Sequence, residues 1–189
     1  GGKLGVGIYN ITVLSNAQSS NANYTVKNVE FSNKVSVSKA VVGANYTSNV
    51  VVVYGMNNTI VIEGTFNASN GDYTVNYNGN VTVTIGNGIY SITNSSVIVS
   101  DGKFKAILTD QARLGVGIYN ITVSSNAQSL NENYTIIDKT FVNNVNVTKA
   151  NVNCYVNDIT VVYGVNDTIT ISGSVSNSTY GVKYNGLIN

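Results

Sequence analysis

The stretch LGVGIYNITVLSNAQSS beginning at Leu4 returns at Leu114 as LGVGIYNITVSSNAQSL, altered at two positions. Segments this alike adopt the same local structure, so the chain is confined to architectures in which one unit is copied along its length. The likeness then fades gradually. NANYTVKNVEFSNKVSVSKA from Asn21 answers NENYTIIDKTFVNNVNVTKA from Asn131, and VVVYGMNNTIVIEGTF from Val51 answers TVVYGVNDTITISGSV from Thr160 after loss of one residue. This phase divides the chain into three pieces: the C-terminal part of one unit over residues 1–33, a complete unit over 34–143, and the N-terminal part of a further unit over 144–189. A partial unit cannot close its own core. Two expectations follow: the segment belongs to a longer array, or the partial units complete each other between chains by strand addition.

Strands build the unit, because apolar and polar residues alternate with period two. In GIYNITV from Gly117, Tyr119, Ile121 and Val123 share one face and Asn120 and Thr122 the other. The same parity turns Val81, Val83 and Ile85 inward, and likewise Ile60, Ile62 and Phe66, with Thr59, Glu63 and Thr65 toward water. Asn70-Gly71, Asn78-Gly79, Asn87-Gly88 and Asp101-Gly102 supply tight-turn chemistry between strands. No segment has helical periodicity of useful length. Seven or so short strands in about 110 residues predict an all-β fold of tandem immunoglobulin-type β-sandwiches.

Composition narrows function further. The chain has no His, no Pro, no Trp and one Cys. Without imidazole there is no Ser/His triad and no His-ligated metal, and no cofactor motif is present. Cys154 reads as a small buried hydrophobe, with a reactive thiol as the alternative. Formal net charge is +1 without any basic cluster, which disfavours nucleic acid and anionic membranes as partners. No apolar run is long enough to span a bilayer, so a leader or anchor would lie outside this segment. With 31 Asn among 189 residues, the outward faces are rich in neutral amides that suit hydrogen bonds to glycans, to water or to a neighbouring copy.

Particular residues carry a family resemblance. The stretch from Leu114 with its Gly-x-Tyr, the Asn-Tyr pair near Asn133 and the exit segment FVNNVNVTKA from Phe141 resembles the end of bacterial-type Ig-like repeats. The Asn-rich variant with VVYG and YNG landmarks is similar to repeats of large adhesin-like surface proteins of methanogenic archaea. The resemblance implies a non-enzymatic, extracellular, stalk-forming array on a cell surface, partnered by neighbouring repeats or copies of itself and by host or cell-surface glycans. In such a sandwich Tyr119, and Tyr9 in the leading piece, would either lock a corner through the hydroxyl or serve simply as core aromatics. The loop SSNAQSLNENY lacks the acidic Gly-Asp usual there, which weakens any calcium reading.

Three sets of candidate site residues emerge. Asn-x-Ser/Thr occurs at Asn10, Asn23, Asn45, Asn57, Asn67, Asn80, Asn94, Asn120, Asn133, Asn146, Asn166 and Asn177, each an N-glycan acceptor in an exported protein, although composition alone gives roughly half as many. Among these, Asn67 and Asn177 are expected in loops. A Lys-Asn isopeptide crosslink would draw on Lys39, Glu63 and Asn120: parity with Val35 and Val37 allows Lys39 to point inward, but parity turns Glu63 outward, and a junction Lys at a solvated strand end is the preferred reading. Tyr24, Tyr46, Tyr73 and Tyr77 form a candidate ligand face for carbohydrate. No catalytic set and no metal set emerges from the scattered acids.

Overall fold

The computed structural model describes residues 4–16, 23–56, 59–68, 76–109, 114–126, 133–165, 168–177 and 182–188. Among them there is no helix, and the strands in chain order are β1 (Gly7–Val13), β2 (Val29–Val37), β3 (Ala40–Asn45), β4 (Val50–Val53), β5 (Thr59–Ala68), β6 (Gly79–Gly86), β7 (Ser91–Ser100), β8 (Lys103–Thr109), β9 (Gly117–Ser124), β10 (Tyr134–Ile137), β11 (Lys139–Thr148), β12 (Asn153–Val156), β13 (Gly173–Asn177) and β14 (Val182–Lys183). They assemble into a two-stranded sheet, a nine-stranded sheet and a three-stranded sheet. The middle sheet, ordered β10-β3-β5-β8-β7-β6-β9-β11-β4, is curled.

Curling follows from where the strands part. The β7–β8 turn places Asp101 and Gly102 at positive φ and joins the strands by only two pairs, Val99 with Phe104 and Ser100 with Lys103. Beyond that corner β8 pairs with β5 while β7 pairs with β6, so the sheet doubles over itself. Inward residues of β3, β5 and β8, including Val42, Ile60, Ile62, Phe66 and Leu108, then share one buried cluster with Val81, Val83, Ile85, Tyr119, Ile121, Val123, Val145 and Val147. The result is sandwich-like. Two close approaches require glycine: a Cβ on Gly64 would lie 2.6 Å from the Asn45 carbonyl and from the Phe104 ring, and one on Gly79 would strike the Tyr77 hydroxyl. Gly79 therefore opens β6 without positive φ, and the expected Asn78-Gly79 hairpin is not formed. Asn70-Gly71 lies outside the described residues.

Several local features are copied with the sequence. β1 and β2 pair with Gly7 opposite Val37 and Tyr9 opposite Val35, and β9 and β11 pair with Gly117 opposite Val147 and Tyr119 opposite Val145. Both hairpins break register at the same place. Asn33 and Asn143 stand there at φ 57 and 58. The downstream copy repeats the pattern, because Cys154 opposes Val175 as Ala44 opposes Phe66. Gly55 and Gly164, at φ 73 and 72, each sit in a turn closed by one backbone hydrogen bond.

Burial is not copied. Leu114 and Ile121 are fully buried at 0 %, whereas Leu4 and Ile11 are 59 % and 42 % exposed. In the nine-stranded sheet β9 lies between β11 and β6, but β1 has only β2 beside it. The downstream copy behaves alike: Ile169 and Ile171 are exposed and lie outside any strand, while their counterparts Ile60 and Ile62 are buried in β5 against β8. The packed body runs from Ala40 to Thr148, and β11 continues past position 143 through its bulge.

Candidate functional site

The body's first and last strands meet directly. β4 lies parallel to β11, with Val50 to Val53 opposite Val145 to Thr148, and β3 lies parallel to β10, with Ala40 to Gly43 opposite Tyr134 to Ile137. The chain crosses between the two ends of the curled sheet over Tyr46–Asn49 and at Asp138, so each half of the divided first strand lies beside a strand from the end of the body.

Side chains reinforce this clamp. The Asn120 carboxamide accepts the Asn143 N–H at 2.9 Å, which stabilises the left-handed conformation that Asn tolerates well. The resulting bulge shifts the register between Phe141 and Val145, and such an irregularity re-aims the side chains within it. Here Asn144 Nδ2 reaches the Ser48 carbonyl and Asn49 Oδ1, both at 3.1 Å. At the far end the Thr148 hydroxyl donates to the Val52 carbonyl at 3.2 Å and the Tyr54 N–H to the Thr148 carbonyl at 2.9 Å. Sequence reasoning missed this arrangement. Its signal was the pairing of Asn120 with the Asn143-Asn144 dipeptide, repeated upstream as Asn10 with Asn33, whose N–H bonds Asn10 Oδ1 at 2.8 Å.

The two alternatives for the repeated tyrosine merge. The Tyr119 ring is buried, and its hydroxyl also donates to the Gly115 carbonyl at 2.6 Å, fixing the loop that enters β9. Tyr9 does the same to Gly5 at 2.7 Å. The candidate ligand face does not form. Tyr77 packs its ring on Phe66 and Tyr134, and Tyr46 is buried with its edge toward Phe141, because both fall on inward positions of the curled sheet. Tyr24 is exposed but belongs to the leading piece, and Tyr73 lies outside the described residues. Burial raises the Tyr46 hydroxyl above its ordinary value near 10, and among the described residues that hydroxyl has no hydrogen-bond partner.

The isopeptide trio is not assembled either. Lys39 is exposed between β2 and β3, and Glu63 is exposed on β5 with its carboxylate 2.7 Å from Lys105. A crosslink needs both groups desolvated, and here both are exposed, Glu63 by its outward parity and Lys39 by its place between strands. Cys154 is exposed rather than buried, since its strand lacks the second layer that covers Ala44.

Glycan candidates separate by what holds their amides. Asn94 donates to the Ile107 carbonyl and accepts from Ser96, Asn177 donates to Asn151, and Asn10 donates to Glu30. Asn67 and Asn177 lie on strands, not loops. Asn80 is half-buried at the start of β6, and Asn23 and Asn133 directly precede Tyr24 and β10. Asn45, Asn67 and Asn146 are exposed on strands without a side-chain hydrogen bond among the described residues. Asn57 and Asn166 fall outside those residues.

Among the described residues no three acidic, Cys or His side chains converge to hold a metal, and no helix is long and apolar enough to cross a membrane. A cleft of about 630 Å³ runs along β3 and β5 beside Ile137–Lys139, but its Asp138 carboxylate is occupied by the Ser125 N–H and hydroxyl. No protein-family model matches the chain, and a search of curated proteins returns no match.

Proposed function

We propose that residues 40–148 are one immunoglobulin-like sandwich of a tandem array, and that the array is a non-catalytic stalk or filament element of an extracellular, cell-surface adhesin. One observation carries the reading. β4, the second half of the unit's divided first strand, is the parallel neighbour of the exit strand β11, so tension that passes from the unit's start through β3 to β4 and from its end to β11 pulls along their ladder. Bonds loaded that way share the force and must fail together, whereas an antiparallel pair pulled from one end opens bond by bond. The Asn144 and Thr148 side-chain bonds add to the resistance.

Further support comes from the repetition itself, because near-identical hairpins 110 positions apart are what an array of similar units requires. The strand order also matches an immunoglobulin-type arrangement, with the first strand divided between the two layers as β3 and β4. The resemblance to archaeal adhesin-like repeats supports the location. Single-molecule extension of the chain between handles tests the mechanics: one cooperative rupture is expected, releasing about 350 Å of contour from the roughly 109 residues between Ala40 and Thr148. Progressive lengthening at low force would remove the mechanical reading. Failure of antibodies to residues 40–148 to label intact source cells would remove the surface location.

A further inference from the structure

We infer that Asn133 is the staple that fixes the angle between one unit and the copy preceding it, its partner being the LGVG loop of that copy. The inference rests on the tandem-array reading and specifies its junction. Covalently the leading hairpin joins the body only through Ser38 and Lys39, between β2 and β3. Two residues do not by themselves hold an orientation.

Asn133 bridges both sides of that link. Its main-chain carbonyl accepts the N–H of Ala40, the first residue of the body, at 2.9 Å. Its side-chain Oδ1 accepts the N–H of Val6, which belongs to the preceding copy, at 3.0 Å. The donor is held ready, because the Tyr9 hydroxyl fixes the adjacent Gly5 carbonyl at 2.7 Å. Around the bond, Leu4, Val6, Val37 and Tyr134 line a junction cleft of about 310 Å³. A carboxamide suits this place because its oxygen accepts the amide of the preceding copy while its nitrogen can donate.

Both halves of the device recur in the sequence. The body's own downstream end carries the same loop, Leu114 to Gly117, fixed by the same bond from Tyr119 to Gly115. Asn23 of the leading copy stands at the position of Asn133, within NANY against NENY. Successive junctions of an array of these units therefore take one geometry. An N-glycan on Asn133 Nδ2 would sit on the seam.

The test uses the 189-residue chain and two variants, Asn133→Ala and Asn133→Asp, read by amide hydrogen exchange and residual dipolar couplings. In Asn133→Ala the Val6 amide is expected to exchange roughly three- to tenfold faster, the range for one lost hydrogen bond. Asn133→Asp retains the acceptor and stays near wild type. The Asn33 amide, held by Asn10 within the leading hairpin, and the Ile121 amide in the core stay unchanged as controls. Hairpin and body share one alignment frame in the wild type and lose it in Asn133→Ala. An unchanged Val6 rate overturns the inference, as does equal acceleration of Asn33, which would mean that Asn133 supports the hairpin instead of the junction. An unprotected Ile121 in the wild-type chain would overturn the sandwich reading itself, and the inference with it.

Discussion

Ile121 and Ile11 are the same residue in the same hairpin register, opposite Phe141 and Phe31 respectively, yet Ile121 is fully buried and Ile11 is 42 % exposed. Replacing each by Ala thus separates the contribution of packing from that of local structure. Ile121→Ala removes three carbon groups from a site where β6 supplies Ile85 directly alongside. At about 0.8 kcal/mol per buried group the transfer loss is about 2.4 kcal/mol. The cavity left behind adds to this, placing the expected destabilisation at about 3 kcal/mol. Ile11→Ala loses the same strand preference without opening a core cavity, and is expected to change the body's stability by less than about 0.5 kcal/mol. Urea unfolding of the 189-residue chain, followed by circular dichroism, measures both, with a constant denaturant slope showing that the same cooperative body unfolds in each case. Equal losses from the two substitutions would refute the argument, since they would mean that the hairpins are equally packed.

Tyr46→Phe removes a buried hydroxyl that has no partner among the described residues, and is expected to stabilise the body by roughly 1 kcal/mol in the same urea assay. The pH dependence has a defined sign. With the folded-state value raised, the unfolded phenol ionises first, so this contribution is fully present below about pH 10 and is lost as pH rises through the folded value. The wild type should therefore lose more stability than Tyr46→Phe above pH 10, and parallel alkaline profiles would contradict the assignment. We also propose Asn45, Asn67 and Asn146 as the acceptors best placed for N-glycans in native material; peptide mass mapping should find sugar there and not at Asn94, whose amide is bonded on both sides.

Strand parity along β5, β6 and β9 was legible from the sequence, because alternation with period two turns one face to the core wherever a second layer exists. The burial of Tyr46 and Tyr77, two of the tyrosines chosen for a ligand face, was not. Tyr77 lies beside a turn-like Asn-Gly pair, and only the approach of Phe66 and Tyr134 shows that its ring fills the core. The clamp escaped for a similar reason: β4 and β11 are nearly a hundred residues apart, and nothing in either four-residue run announces its partner.

By itself the sequence determined the copied local structure: hairpin register, the left-handed Asn at the bulge, the tyrosine bond to the loop and the glycine turns. These depend on contacts within a few tens of residues, so near-identical segments reproduce them whether packed or not. Tertiary structure alone decided which copies are buried. Removing a side chain from water takes a second layer of strands brought from far along the chain, and among the described residues only the stretch from Ala40 to Thr148 assembles one.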